Sequence, residues 1–195
     1  DNANTVLCQS ANISMDSTGR VKFNNQLQNI GSEETSGLDL NLTYNFEAAG
    51  LSWKAALDTT YLDEYVVTVL DETVDYAGLI TSGSGGYADI KSNFTLSARG
   101  ESWDATYKAR YIAGMDSYLC KDDPSSCLAP TTPSVVYHDI SGSYLLSDTV
   151  TLSAGVNNLF DKEPPYYSGN NDSNTDPYTY DVLGRRFHAG INVKF

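Results

Sequence analysis

Five tyrosines lie in or beside long polar segments of this sequence, where aromatic rings could contact a ligand. They are Tyr118, Tyr166, Tyr167, Tyr178 and Tyr180. A phenol ring in an exposed loop can stack on a sugar, a catecholate or an aromatic chelate, while its hydroxyl forms hydrogen bonds. The same rings could instead pack the loops internally or belong to a membrane-interface girdle. We take all five as ligand-binding candidates for an unknown small molecule.

The two histidines, His138 and His188, raise the question of catalysis. His138 precedes Asp139 and has serines nearby, which are the residue types of a hydrolase triad. A triad is defined by geometry that a sequence does not supply. Both histidines can be solvated without a catalytic role, so we predict no catalytic residue and no enzyme activity.

Residues 172–176 carry oxygen ligands at alternate positions, as at the start of a calcium loop. Calcium needs roughly six to eight oxygen ligands. Here Pro177 replaces the turn glycine and Leu183 replaces the bidentate glutamate, so a solvated turn is the better interpretation. Residues 83–86 are rich in glycine but lack the lysine of a phosphate-binding loop. We therefore predict no metal site and no cofactor.

Cys120 and Cys127 flank a short polar segment that contains a proline. In an oxidising compartment, such a short closed segment favours a disulfide over a metal site, with two free thiols as the alternative. Cys8 is then left without a partner. An odd cysteine in an exported protein indicates a partner elsewhere, which we expect upstream of residue 1.

Seven segments alternate between apolar and polar residues, which is the period of a β-strand. Each has roughly ten residues and could cross a bilayer at the tilt of a barrel strand. The clearest is the last, at residues 182–195, and the others cover residues 38–46, 51–61, 90–96, 103–111, 139–146 and 149–157. An eighth segment, residues 19–29, alternates poorly. The sequence thus predicts an all-β protein of seven to eight antiparallel strands.

The polar faces of these strands are too highly charged for a dry protein core. Asp104, Lys108 and Arg110 share one face of a single strand. Burying an unpaired charge costs several kcal/mol or more, so this face must contact water. A strand with one lipid-facing and one water-facing side is the unit of a transmembrane β-barrel. The mixed-charge wall also includes Lys54, Asp58, Lys91 and Arg186.

Composition excludes other classes of protein. The formal charge of −13 and the sequence pI of about 4.3 exclude an overall basic nucleic-acid surface, so no nucleic-acid partner is predicted. No apolar run approaches the roughly 20 residues of a membrane helix. The chain is therefore either soluble or a barrel, and the charged strand faces favour the barrel.

Short and long connections alternate strictly between the predicted strands. Short turns fall at residues 47–50, 99–102 and 147–148, and long acidic loops fall at residues 62–86, 116–133 and 161–180. Outer-membrane barrels place short turns in the periplasm and long loops outside. Seven strands cannot close the usual even-numbered barrel, and open edges are not tolerated in hydrocarbon. We therefore expect the chain to be a contiguous fragment of a larger barrel.

Four blocks resemble the TonB-dependent outer-membrane receptors. Residues 155–166, GVNNLFDKEPPY, resemble the block before the final strand of that family, and residues 180–187, YDVLGRRF, resemble the start of that strand. Residues 188–195 are similar to its barrel-assembly signal, carried by Gly190, Val193 and Phe195. Residues 29–39 resemble the start of an earlier strand. The resemblance identifies residues 1–195 as the carboxy-terminal part of such a barrel.

The resemblance implies active uptake of a scarce nutrient across the bacterial outer membrane. In this family the ligand is a ferric siderophore, an oligosaccharide or a similar nutrient, and a 22-stranded barrel encloses an amino-terminal plug. The expected partners are outer-membrane lipid and lipopolysaccharide, the barrel-assembly machinery, and the TonB complex through an amino-terminal region. No plug is recognisable in these residues, so we expect this chain to form barrel wall and external loops.

Two other functions stay open at this point. The chain could be a self-contained small barrel that acts as a structural anchor or adhesin, or a barrel hydrolase. The mass of the intact source protein separates the first of these from a receptor, because a receptor should be several times longer than 195 residues.

Overall fold

The structure is a computed structural model that describes residues 13–15, 17–23, 31–70, 72–169 and 174–195. Predictions that concern Cys8, most of residues 19–29 and residues 172–173 fall outside the described residues. The described chain is built from β-strands, with two short 3-10 turns at Tyr118–Cys120 and Pro124–Ser126. No helix in these ranges is long and apolar enough to cross a membrane.

Fourteen strands are numbered here in chain order. Seven long ones form the wall of the molecule: β3 (Gly31–Ala48), β4 (Leu51–Val69), β8 (Ile90–Arg99), β9 (Trp103–Ile112), β12 (Val135–Ser147), β13 (Val150–Asn157) and β14 (Arg186–Val193). The short strands are β1 (Ile13–Met15), β2 (Val21–Phe23), β5 (Glu72–Asp75), β6 (Leu79–Thr81), β7 (Gly85–Gly86), β10 (Met115–Ser117) and β11 (Thr131–Thr132).

The wall is one antiparallel sheet in the order β14-β13-β12-β9-β8-β4-β3, with β5 paired to the far end of β4. This arrangement confirms the seven predicted strands and the fold class. Several boundaries were wrong, among them the start of β3, which lies at Gly31 instead of residue 38. The last strand begins at Arg186 instead of residue 182, because Gly184 has a left-handed φ of +69° that breaks the extended chain. Strand β4 continues to Val69, so the predicted loop at residues 62–86 begins as strand.

The register separates an apolar face from a polar one across the whole wall. One row of paired residues runs through all seven strands as Tyr44, Ala55, Leu96, Tyr107, Ile140, Val156 and Phe187. The adjacent row on the opposite face is Asn45, Lys54, Ser97, Thr106, Ser141, Gly155 and His188. Leu38 is 73% exposed and Phe187 is 76% exposed, so the apolar face has no protein partner in the described residues. Such a face fits contact with lipid.

Connections segregate to the two ends of the sheet, as the sequence predicts. Tight turns join β3 to β4, β8 to β9 and β12 to β13, and the first of these is closed by Ala49 and Gly50 with left-handed φ angles of 52° and 73°. Long connections join β4 to β8, β9 to β12 and β13 to β14 at the opposite end. In a barrel of this polarity the long connections lie outside the cell.

The buried core lies among the long connections and not in the wall. Strands β11, β10, β6 and β7 form a second sheet there. Its buried side chains pack with the outer end of β12 into one cluster, formed by Ile80, Ala88, Met115, Val135, Tyr137, Tyr167 and Tyr180. We call residues 76–89, 113–134, 158–169 and 174–185 the loop cap. Water surrounds this end of the molecule, so hydrophobic burial can drive folding there.

An arginine on the apolar face should destabilise the protein far more than one on the polar face. Ile140 lies in the central apolar row, and its neighbour Ser141 lies in the adjacent polar row. In lipid vesicles, Ile140→Arg should cost about 2–4 kcal/mol in the free energy of unfolding, because the charge must enter hydrocarbon. Ser141→Arg is the matched control and should cost much less. Denaturant unfolding measures both, and equal costs would show that the faces are misassigned.

Candidate functional site

A cluster of four tyrosine rings lies at the edge of the loop cap. Tyr65 comes from the outer end of β4, Tyr76 and Tyr87 flank the β6–β7 hairpin, and Tyr118 begins a 3-10 turn. The ring centroids of Tyr65 and Tyr87 are 4.8 Å apart. Those of Tyr76 lie 5.7 Å from Tyr87 and 5.5 Å from Tyr118. These distances are typical of packed aromatic pairs. We call these four residues the tyrosine cluster.

The tyrosine cluster lines a cavity of about 470 Å³. The Glu33 carboxylate contributes to the lining, and the Tyr65 hydroxyl donates to Glu33 Oε2 at 3.4 Å. Val67 and Leu119 add apolar surface, and Thr81, Ser82 and Ser84 add hydroxyl groups. More of the exposed lining is polar than apolar, so the cavity offers hydroxyl groups and a carboxylate beside the tyrosine rings.

Sequence reasoning identified only Tyr118 of this cluster. Tyr65 and Tyr76 lie within the predicted loop at residues 62–86, and Tyr87 directly follows it. The available signal was the number of tyrosines around that loop. The sequence did not indicate that these four tyrosines lie together. Tyr65 belongs to β4, which continues beyond its predicted end to Val69 and contains an unpaired bulge at Asp63.

Acidic groups lie beside Tyr65 of the tyrosine cluster. The Asp75 carboxylate accepts hydrogen bonds from the backbone amides of Tyr65 at 3.1 Å and Ala77 at 3.0 Å. Burial, followed by the negative charges of Asp116 and Asp75, raises the pKa of the Asp89 carboxyl. This region of the loop cap therefore disfavours further negative charge.

Two of the predicted ligand-binding tyrosines are buried in the loop cap instead of lining a surface. Tyr167 is fully buried, and its hydroxyl donates to the backbone oxygen of Ile80 at 3.2 Å. Tyr180 is also buried, and its hydroxyl donates to Thr132 Oγ1 at 3.0 Å. Burial raises the pKa of both hydroxyls. These rings hold distant loops together, whereas Tyr166 and Tyr178 are exposed.

The predicted disulfide is present beside the tyrosine cluster. Cys120 is bonded to Cys127, and their Cα atoms are 6.0 Å apart. The bond closes the small loop that follows Tyr118, whose ring lies 6.0 Å from Lys121 Nζ. The cross-link restricts the backbone directly after Tyr118, which favours one placement of that ring.

The calcium interpretation involves Asp176, which is fully buried. Its Oδ1 accepts from the Tyr178 amide at 3.4 Å, and its Oδ2 has no hydrogen-bond partner among the described residues. The backbone oxygen of Asp176 accepts from the amides of Thr179 and Tyr180, which forms a turn. Within the described ranges, no group of three or more His, Cys, Asp or Glu side chains could hold a metal ion.

An ion-pair network attaches the loop cap to the polar face of the wall. Arg186 Nη1 lies 2.8 Å from Asp181 Oδ1, and Nη2 lies 3.0 Å from Oδ2. Arg110 pairs with Asp139 at 3.3 Å and approaches Asp181 at 3.9 Å. The hydrogen bonds from Arg186 lower the pKa of Asp181. This bidentate geometry fixes the last long loop at the start of β14.

Only part of the predicted mixed-charge wall is paired. Arg110 and Arg186 have the partners just described, and Lys91 Nζ donates to the backbone oxygen of Gly86 at 3.1 Å. Asp104 accepts a hydrogen bond from Ser143. In the described part of the chain, Lys54, Asp58 and Lys108 form no hydrogen bond or ion pair through their side chains.

The two histidines have different surroundings. His138 lies opposite Ala109 on the apolar face, with its Nδ1 2.6 Å from the Tyr107 hydroxyl and its ring 4.9 Å from that of Phe160. His188 lies opposite Gly155 on the polar face. The two are on opposite faces of the wall.

The predicted assembly-signal residues lie at the end of the wall that carries the tight turns. Val193 pairs with Val150, and Gly190 pairs with Ser153. Phe195 is fully exposed, so it contributes little to packing in the described chain.

A match to a known protein family decides which family the chain belongs to. A family model described as "TonB dependent receptor-like, beta-barrel" matches residues 3–159. The chain belongs to this family. It is therefore part of an outer-membrane β-barrel, in a family of transport receptors that work with TonB. Three of the four sequence blocks lie mainly or wholly beyond the matched residues, and they remain resemblances.

Two solved receptors resemble the chain. A variant of the ferric enterobactin receptor PfeA from Pseudomonas aeruginosa matches with 17% identity and a TM-score of 0.55, over 95% of this chain and 26% of that receptor. The ferric-catecholate import receptor Fiu from E. coli matches with 17% identity and a TM-score of 0.45, over 94% of this chain and 23% of that receptor. A search among curated proteins found no match. The chain spans about a quarter of the solved receptors that it matches.

Removing the buried ring of Tyr167 should open the loop cap, whereas removing the adjacent exposed ring should not. Tyr167→Ala leaves a cavity in the core, and substitutions of this kind cost about 3–5 kcal/mol. Tyr166→Ala should change stability by less than about 0.5 kcal/mol. Hydrogen exchange of the loop-cap amides measures the local opening free energy, and similar exchange in both variants would contradict the assigned core.

Acid should release the last long loop through Asp181. Because Asp181 has a folded-state pKa below its ordinary value of 3.8, its stabilising contribution is complete above that pH and is lost as the pH falls below it. The protection of the amides of residues 174–185 against hydrogen exchange, relative to their intrinsic exchange rates at each pH, should therefore fall below pH 3.8 in the wild type.

Asp181→Asn should show the faster exchange already at neutral pH and should remove this acid transition. Asp122→Asn is the control, since Asp122 is highly exposed and pairs only with the adjacent Lys121 among the described residues. The interpretation fails if both variants exchange like the wild type at neutral pH.

Proposed function

We propose that this chain supplies barrel wall and external loops to an outer-membrane receptor that captures a scarce nutrient and imports it actively. The observation that carries the proposal is the folded loop cap on one end of a two-faced membrane wall. A structural anchor needs the wall alone. A cap with its own aromatic core and a tyrosine-lined cavity of about 470 Å³ is suited to binding a small molecule.

The proposed ligand is a ferric siderophore, an oligosaccharide or a similar nutrient. Tyr118 lies in the cavity and Tyr166 and Tyr178 are exposed on the loops, so these three remain the predicted residues for ligand contact. Tyr167 and Tyr180 serve the proposed function indirectly, since they support the loops. The proposed partners are the TonB complex, through a region amino-terminal to this barrel segment, and lipopolysaccharide around the wall.

The open edges of the wall favour a larger barrel over a self-contained small one. In the described sheet, β3 and β14 are the two end strands and do not pair with each other. Unpaired backbone groups at such edges are very costly in hydrocarbon. We propose that further strands complete the barrel.

The terminal residues have a separate proposed role in assembly. We propose that the barrel-assembly machinery reads Gly190, Val193 and Phe195. The support is the sequence resemblance together with the exposure of Phe195, whose ring is free for recognition.

Energised uptake is the property that tests the proposed function. In the source bacterium, we expect deletion of the receptor gene to abolish uptake of one probe from a panel of iron-55 siderophore complexes and carbon-14 oligosaccharides. A plasmid copy should restore that uptake. A protonophore or deletion of TonB should abolish it equally, because the import step requires the energised complex.

Two outcomes would contradict the proposal. Uptake of every probe could be unchanged in the deletion strain, or uptake through the receptor could persist after the membrane is de-energised. A porin-like channel would give the second result. An anchor or adhesin would give the first.

A further inference from the structure

The tyrosine cluster contributes aromatic surface to a cavity whose lining is partly polar and partly apolar. Tyr76 is at its centre and contacts the rings of Tyr65, Tyr87 and Tyr118. Tyrosine loses little conformational freedom when it contacts a ligand, and its ring accepts the apolar C–H face of a small molecule. The volume of about 470 Å³ falls in the range of small-molecule sites.

The polar groups of the cavity suit a ligand with many hydroxyl groups. The lining combines phenol hydroxyls with the Glu33 carboxylate and the Ser84 hydroxyl. Only one of the two Glu33 oxygens accepts a hydrogen bond from Tyr65, at the long distance of 3.4 Å. The site thus offers donors and acceptors beside an aromatic surface, and a polyol can satisfy both kinds at once.

The charge around the cavity disfavours an anion. None of its ten described lining residues is lysine or arginine, and Glu33 is the charged one. Of the described cations, Lys91 donates to the backbone oxygen of Gly86, next to Tyr87, and Lys121 has its Nζ 6.0 Å from the centre of the Tyr118 ring. That ammonium group is paired with Asp122 at 2.8 Å. Anionic chelates are normally held by arginine or lysine, which this lining lacks.

The carboxylates near Tyr65 also disfavour an anionic ligand. Asp75 is hydrogen-bonded to the Tyr65 amide, and Asp89 lies close enough to Asp75 and Asp116 that both charges raise its pKa. A ferric tris-catecholate carries several negative charges and would meet repulsion here. The two solved receptors of similar fold share only 17% identity with this chain, so their ligands do not decide this question.

We infer that the tyrosine cavity is a ligand-contact site for a neutral saccharide and that it excludes anionic metal chelates. This inference rests on the proposed function and narrows its ligand class. Saccharide rings stack on Tyr76 and Tyr118, and their hydroxyl groups bond to Glu33 and the cavity hydroxyls.

The test uses the intact receptor purified in detergent, with calorimetry as the measure of binding. The probes are neutral oligosaccharides of glucose, xylose and mannose, an oligogalacturonate as the charged counterpart, and ferric enterobactin. We expect a neutral oligosaccharide to bind and the two anionic probes not to bind. Tyr76→Ala and Tyr118→Ala should weaken the neutral complex at least about tenfold, as expected for aromatic anchors.

Three further variants keep the test specific. Tyr76→Phe should retain most of the affinity because the ring surface remains. Tyr44→Ala, on the apolar face of the wall, should leave the affinity unchanged. Glu33→Lys should allow the oligogalacturonate to bind, because it supplies a cation to the cavity. Heat-modifiable migration on a gel confirms that each variant forms a folded barrel.

Each contrary outcome has a distinct meaning. Binding of ferric enterobactin without binding of any neutral probe would overturn the inference and leave uptake as the function. Neutral binding that survives both alanine substitutions would overturn the location, and failure of every neutral probe to bind would overturn the ligand class. The proposed function would be overturned instead if deletion of the receptor gene left uptake of every probe unchanged, or if uptake through the receptor persisted after the membrane is de-energised.

Discussion

The bilayer leaves no backbone amide or carbonyl in its interior without a protein partner, and the rest of this structure follows from that constraint. Between its two open edges, the wall meets it with antiparallel pairing of seven strands, interrupted locally by bulges in β4 and β12. Because side chains alternate along each strand, one register places Tyr107 and Ile140 on the lipid side and Thr106 and Ser141 on the water side. A slip of one residue would reverse both faces.

The hydrophobic effect acts at a different place in the molecule. Lipid is as apolar as the outer face of the wall, so apolar burial cannot drive packing there. Water at the outer end restores that driving force. The buried cluster accordingly forms in the loop cap, with Tyr167 and Tyr180 joining loops that are far apart in sequence. Arg186 and Asp181 then attach this core to the polar face of the wall.

In the proposed function, the wall and the loop cap have different roles. The wall provides a rigid frame, and the loop cap provides a surface that can vary with the ligand. The tyrosine cluster lies where the two meet, because Tyr65 belongs to β4 while Tyr76, Tyr87 and Tyr118 belong to the cap or its margin. A site built partly on a strand is more precisely positioned than one built on loops alone. The proposed charge preference of this site depends on Glu33 and Asp75, which lie beside Tyr65.

The sequence by itself determined the strands, the segregation of short and long connections, the Cys120–Cys127 pair and the family resemblance. These features depend on local patterns, namely the alternation of apolar and polar residues along a strand, the composition of the turns and short sequence motifs. Only the tertiary structure decided which tyrosines are buried and which line a cavity. Tyr166 and Tyr167 are adjacent in the same polar segment, yet one is exposed and the other fully buried. The loops show no regular alternation of polar and apolar residues. Contacts such as that of Tyr180 with Thr132 join residues 48 positions apart. Side-chain placement there depends on which loops meet, and that is decided by the register of the wall and the burial of the cap as a whole.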